Sequence, residues 1–229
     1  MRSLTLYGYW RSSAAYRVRI ALNLKGLEYA QVPVHLVADG GQQHDPAYRL
    51  LNPQELVPVL IDGRRIVRQS LAIIEYLEET SGSGVQLLPS GARERARVRS
   101  LALLVACDIH PLANLRVLQY LEQEFGADAD ARLAWSRHWI AAGLAAFEEL
   151  VAEHPGTGAF CDGDTPTLAD ACLVPQMYNA RRVGLDLTPY PNLVRIDTGC
   201  NALAAFADAA PERQPDAPKS RPDPGQPAM

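Results

Sequence analysis

A small α/β unit followed by an all-helical unit is the fold this sequence predicts. Over residues 1–81 the hydrophobic spacing switches between periods of 2 and 3.6, and from Arg93 onward it is helical only. Between the two runs lies a stretch rich in glycine and serine, residues 81–91, with the composition of a linker. The expected organisation is an α/β domain at 1–81, a linker at 82–91, a helical domain at 92–210 and a tail at 211–229. In that tail six prolines fall in 19 residues without an apolar pattern, so no structure is expected. With 229 residues, 48% of them hydrophobic, the chain can give each unit a core.

Residues 4–9 read as the first strand. A helical pattern follows over 13–25 and stops at Gly26, glycine being the usual residue past a helix end. Ser12 and Ser13 therefore stand at a strand-to-helix turn. Free backbone N–H groups, the positive end of the helix dipole and two hydroxyls there suit an anion such as a thiolate. Either serine could equally serve as a plain helix cap. Residues 29–36 alternate and read as a second strand, 39–46 as a polar loop, and 47–51 as a short helix ending before Asn52-Pro53. Short strands at 59–61 and 65–67 are joined by Asp62-Gly63, a hairpin dipeptide. Ser70 then caps a helix bearing Leu71, Ile73, Ile74 and Leu77.

In the helical unit Val98, Leu101, Ala102, Val105, Ile109 and Leu112 mark one buried stripe. Pro111 lies within it. Lacking an N–H for the Cys107 carbonyl, it should kink the helix near His110. The stripe resumes with Leu115, Leu118, Leu121 and Phe125, and a further helix carries Ile140, Leu144, Phe147 and Val151. Thr167-Leu168-Ala169-Asp170 resembles a capping box with Asp in place of Glu or Gln, and opens a helix running to about Arg182. A last helix is expected near 194–209. The alternating Arg93, Arg95, Arg97 and Arg99 invite a phosphate site, but the net charge of −4 favours a solvated helix surface.

The same charge gives no nucleic-acid footprint. No run of 18 apolar residues and no signal segment is evident, so neither a membrane partner nor export is expected and the setting is cytoplasmic. Four widely spaced cysteines without a C-x-x-C pair, and five histidines without ligand spacing, predict neither disulfides nor a bound metal.

The run Arg11-Ser12-Ser13-Ala14-Ala15-Tyr16-Arg17-Val18-Arg19-Ile20-Ala21-Leu22 resembles the signature of the zeta-class glutathione transferases. Gly41-Gln42-Gln43, Asn52-Pro53 with Val57-Pro58, Gln69 through Glu79, and Asp186 through Pro191 are similar to that class as well. Asp108-Ile109-His110-Pro111 with Asn114-Leu115-Arg116 looks like its bacterial branch. The resemblance covers residues 4–210. It implies a thioredoxin-like N-terminal domain, an all-helical C-terminal domain, glutathione as cofactor and a homodimer. It also implies a cis–trans isomerase converting 4-maleylacetoacetate to 4-fumarylacetoacetate in tyrosine and phenylalanine breakdown. Maleylpyruvate, from gentisate degradation, is the alternative substrate. A transferase acting on electrophiles such as 2-haloacids is a second alternative, and a noncatalytic module of the same fold a third.

In such an isomerase a thiolate adds to one alkene carbon, leaving a single bond and an enolate; rotation and expulsion of sulfur follow. A free thiol near pKa ~8.5 is mostly protonated at neutral pH. The resemblance makes Ser12 the first choice for the thiolate partner, with Ser13 assisting. It extends the cofactor contacts to Ala14, Ala15, Tyr16, Arg17, His110, Asn114, Leu115 and Arg116. By the same resemblance Val57 precedes a cis proline and pairs with the cysteinyl backbone, Gln69 and Ser70 take the γ-glutamyl carboxylate, and Gln43 reaches the glycyl end. His110 could instead be a structural histidine. Arginine forks match carboxylates; Arg11 borders the serines and the resemblance makes Arg182 the substrate arginine, so both are expected to take the diacid, while Arg181 serves the helix dipole. Where the family has cysteine after the two serines this chain has Ala14, so no protein thiol is carried over to that position.

Overall fold

The structure is a computed structural model and describes residues 3–218. Its α/β unit has strands β1 (Leu4–Gly8), β2 (Ala30–Pro33), β3 (Val59–Asp62) and β4 (Arg65–Arg68), in the order β2-β1-β3-β4. β2 runs parallel to β1, and β3 and β4 are antiparallel neighbours. Helices α1 (Ser13–Leu24) and α3 (Ser70–Thr80) pack together on one side of the sheet. The small helix α2 (Pro46–Leu51) contributes Tyr48 to a separate cluster with Val34 and Val59. This is the thioredoxin-like arrangement.

The helical unit comprises α4 (Ala92–Leu103), α5 (Leu115–Phe125), α6 (Ala129–Glu153), α7 (Leu168–Arg182), α8 (Pro191–Asn201) and α9 (Ala204–Ala207). One apolar core joins the two units. Leu4 and Leu6 of the sheet, Ile20 and Leu22 of α1, and Leu87 and Leu88 of the linker meet Val98, Phe147, Leu173 and Phe206. The linker is thus pinned by its leucines, and its Leu87 carbonyl accepts the Leu168 N–H at 2.8 Å.

The expected stripe from Val98 to Ile109 is buried, with Leu112 only partly so. Pro111 has the anticipated consequence in a stronger form. The helix does not merely bend but changes winding, to a π turn at Leu104–Ile109 and then a 3-10 turn at His110–Ala113. The run 92–125 has a window of mean hydropathy 1.5, long and apolar enough on paper to cross a membrane. In the fold it is divided by those turns and by Asn114, which caps α5.

Five expectations need correction. Ser70 is not a helix cap: Gln69 holds that position at φ 69°, and Ser70 is the first helical residue. The stripe from Leu115 to Phe125 is not core, since α5 buries none of its residues and Phe125 is 72% exposed; only a helix enclosed on its apolar side is buried, and α5 walls a cleft. The tail is packed at its start, because a proline at the first position fits a tight turn and a neighbouring surface receives it. Pro211–Arg213 form a 3-10 turn, Gln214 is buried and Asp216 accepts the Trp10 N–H at 2.9 Å. Residues 219–229 lie outside the described residues. The helix expected at 194–209 is two helices, α8 and α9. The arginine series is neither a phosphate site nor a free solvated face. Arg99 pairs with Glu75 at 2.9 Å, Arg97 with Asp162 at 2.5 Å, and Arg95 donates to the Pro89 carbonyl.

The capping box at Thr167 is formed, and its Asp does more than close it. The buried Asp170 carboxylate accepts from the Thr167 N–H, the Thr167 hydroxyl and the Cys161 N–H, each at 2.8 Å. It ties the preceding loop to α7. Asp170→Ala leaves these donors buried without a partner and is expected to cost about 2–4 kcal/mol, read as a lower urea midpoint with unchanged slope.

Candidate active site

The chain leaves β1 and turns through Tyr9, Trp10 and Arg11 into α1. The turn closes when the Ser12 N–H donates to the Tyr9 carbonyl at 3.0 Å. Ser12 is the helix cap, in extended backbone (φ −69°, ψ 118°), and its Oγ accepts the Ala15 N–H at 3.2 Å. A hydroxyl that accepts in this way keeps its own proton to donate. Capping and anion binding are therefore compatible in Ser12. Ser13 follows as the first residue of α1.

Ser12 opens onto a cleft between the two units that has three lobes. The first, about 340 Å³, is lined by Ala14, Arg17, Val57, Gln69 and Ser70 with Asn52, Gln54, Leu103 and Cys107. The second, about 160 Å³, is lined by Arg11, Ser12, Ser13 and Arg182 with Tyr9, Leu36, Val37, Leu118 and Asn179. The third, about 290 Å³, has Ser12, Gln43, Val57 and Arg116 with His44 and Glu55. His110 and Asn114 border all three, so the break at Pro111 delivers them to the junction. The Val57-Pro58 peptide is cis.

Of the residues expected at the site, Ala15 and Tyr16 do not line any of these lobes. Both side chains are buried behind α1, and the Tyr16 hydroxyl donates to the Phe206 carbonyl at 3.5 Å. Asn179 was not anticipated. Its Oδ1 accepts from Arg182 Nε at 3.1 Å and Nη2 at 2.5 Å, which orients the guanidinium. Its place three residues before Arg182 on one helix was the available signal. Arg181 turns away and pairs with Asp197 of α8.

The first two lobes are cationic and lined by no acid. Arg17 is 2% exposed; Nη1 donates to Ser70 Oγ at 3.3 Å, while Nε and Nη2 have no partner among the described residues. Burial lowers its pKa, an expense usually offset by a counter-ion. Arg182 is lowered by desolvation and by the Arg11 cation. Among the described residues neither Arg11 nor Arg182 meets a carboxylate at ion-pair distance. Burial, and then Arg17, push His110 down to about 3, so its ring is neutral at physiological pH. On the third lobe Gln43 Oε1 is buried without a partner among the described residues. The arrangement suits an elongated ligand with anionic groups, and a second anion beside Ser12.

Comparison with known proteins agrees with this architecture. The model of the glutathione S-transferase N-terminal domain matches residues 6–84, and that of the C-terminal domain matches 134–209. Maleylacetoacetate isomerase of Rhizobium meliloti is 54% identical over 209 residues, covering 91% of this chain and 96% of that protein. A holo structure of maleyl pyruvate isomerase, a bacterial zeta-class glutathione S-transferase, is similar with a TM-score of 0.90 and 50% identity, covering 93% of this chain and all of that one. Maleylacetoacetate isomerase of Anaeromyxobacter dehalogenans, with dicarboxyethyl glutathione and citrate in its active site, has a TM-score of 0.81 and 47% identity, over 95% of this chain and 94% of that one. With both domains matched in order and such identity over nearly the whole length, the chain belongs to the glutathione S-transferase family, on its zeta-class branch.

Proposed function

We propose that the cleft holds glutathione and that the protein is a glutathione-dependent cis–trans isomerase of maleylacetoacetate. One observation carries the reading: a serine hydroxyl at a helix N-terminus lines a lobe walled by Arg11 and Arg182, and the adjoining lobe is lined by a buried guanidinium, Arg17, with two nitrogens left without an acceptor among the described residues. The residues fit the tripeptide. Arg17, Ser70 and the N–H groups at the start of α3 suit the γ-glutamyl carboxylate, because a carboxylate there supplies the acceptors that Arg17 Nε and Nη2 lack. Val57 offers its backbone to the cysteinyl unit, and Gln43 and Arg116 stand where the glycyl end would lie. Asn114 and Leu115 close the cleft from the helical side.

Bound glutathione supplies a thiolate that adds reversibly to the maleyl double bond, so that the bond can rotate. Ser12 donates its hydroxyl proton toward that sulfur, with the first amides of α1 and Ser13 assisting. Each unit of pKa depression corresponds to about 1.4 kcal/mol of anion stabilisation. Arg11 and Arg182 receive the carboxylates of the diacid, which relieves their mutual repulsion, and they favour negative charge developing on the substrate. His110 stays neutral and adds no competing cation. The dicarboxyethyl glutathione in the related Anaeromyxobacter isomerase supports one cleft accepting thiol and diacid side by side. The similarity to a maleyl pyruvate isomerase makes the shorter diacid the second reading. A homodimer and a cytoplasmic role in aromatic amino-acid breakdown complete the proposal.

Glutathione should be required and not consumed. With maleylacetone or maleylpyruvate and substoichiometric glutathione, many turnovers per thiol are expected at constant thiol titre; conversion that stops at one product per glutathione would indicate a conjugating transferase. Arg182→Ala should raise KM for the diacid by roughly 10–100-fold and leave glutathione affinity intact by calorimetry. For His110 the sign follows from its lowered pKa. Between about 6.5, its unfolded value, and about 3, the unfolded chain binds a proton that the native state refuses, so stability falls as pH falls. Urea unfolding at pH 7 and pH 5 should show the wild type losing roughly 1–2 kcal/mol more than His110→Gln.

A further inference from the structure

The turn that carries Ser12 is held from outside the cleft by groups the chemistry above leaves unused. Arg19, on α1, is 2% exposed, and its guanidinium donates to three carbonyls: Tyr9 at 3.5 Å, Trp10 at 3.0 Å and Ala209 at 2.9 Å. The Tyr9 carbonyl is the one that also accepts the Ser12 N–H. From the other side Asp216 Oδ2 accepts the Trp10 N–H at 2.9 Å. The amide and the carbonyl of Trp10 are thus both gripped, one by Asp216 and one by Arg19. The remaining hold on this region comes from the segment returning after α8. Asn23 donates to the Ala205 carbonyl at 2.9 Å, and Gln214 bonds Gln31 at 3.1 Å and the Asp208 and Ala210 carbonyls.

Enclosing a guanidinium is costly, and an apolar side chain would fill the same space without desolvation. What Arg19 adds is direction: its rigid fork fixes carbonyls of a turn that has no regular partner of its own. We propose that Arg19 and Asp216 are positioning residues for Ser12, through which the C-terminal segment sets the acidity of the thiol in the cleft. The inference rests on reading the cleft as a glutathione site. Asp216 carries a negative charge, so acting through space it would oppose a thiolate, and its removal would lower the thiol pKa. Acting through the turn it has the opposite sign. Without it Ser12 and the first amides of α1 lose alignment, the anion loses donors, and the pKa rises.

The test titrates the ultraviolet thiolate absorbance of glutathione at saturation on the full-length protein, alongside thermal midpoints. Three variants are compared: Asp216→Ala, Asp216→Asn, which keeps an acceptor oxygen, and Gln214→Ala, which loosens the segment without touching the turn. In Asp216→Ala the bound-thiol pKa should rise by about half a unit or more, roughly threefold less thiolate at pH values below it. Asp216→Asn should restore most of that loss. Gln214→Ala should lower the melting midpoint with the thiol pKa unchanged or raised by less than in Asp216→Ala. A pKa that stays or falls in Asp216→Ala overturns the proposal, as does an equal rise in Gln214→Ala. A wild type that ionises no bound thiol overturns the glutathione reading and the proposal together, whereas an ionised wild type with an indifferent Asp216→Ala removes the proposal alone.

Discussion

Helix α1 is enclosed, and two guanidinium groups are enclosed with it. Every residue from Ala15 to Leu22 is buried between the sheet, α3, α7 and the segment around α9. Arg17 and Arg19 therefore cannot rely on water, and the protein must supply their acceptors. Burial depresses both, Arg19 to about 10, which leaves it charged at neutral pH. The two are served unequally. Arg19 is satisfied by backbone carbonyls on two sides, whereas Arg17 has one hydroxyl and two orphaned groups. The first arrangement is structural. The second leaves a cation beneath the cleft with no carboxylate at ion-pair distance among the described residues.

The break near Pro111 matters for the same cleft. A continuous α-helix would carry His110 and Asn114 past the junction of the lobes. The π turn and the 3-10 turn bring both to it, and Asn114 then restarts the helix as the cap of α5, accepting the Arg116 N–H at 3.3 Å. Helix α5 accordingly sets Leu115 and Leu118 against the second lobe instead of a core. This explains how an amphipathic helix can lack a buried residue. The start of its apolar side faces the cleft, and the end, at Phe125, lies in solvent.

Ala14 fits this division of labour. It lines the first lobe without a reactive group of its own; in the proposed reaction the ligand brings the nucleophile and the chain's contribution is electrostatic: donors at Ser12, cations at Arg17, Arg11 and Arg182, and a neutral ring at His110. None of these acts as a strong base. That suits a reaction in which nothing is transferred for good and the product keeps every atom of the substrate.

Much of the fold was determined by the sequence alone, because its signals are local. The strand-turn-helix at Ser12, the hairpin at Gly63, the capping box at Thr167 and the stripes through Ile109 and Val151 each follow from periodicity and end chemistry within a few residues. Most of the candidate cleft's lining was legible too, through the motif around Ser12 and its matches at Gln43, Gln69 and Arg182. Only the tertiary structure decided which members face the cleft. Tyr16 points away from it, Ser70 serves Arg17 instead of capping, Phe125 stays in solvent, and residues 211–216 fold back on the turn before Ser12. Periodicity reports which side of an element is apolar, but not whether that side meets a core, a ligand or water. That depends on which distant segment lies opposite, as Asp216 lies opposite Trp10 across 206 residues of chain.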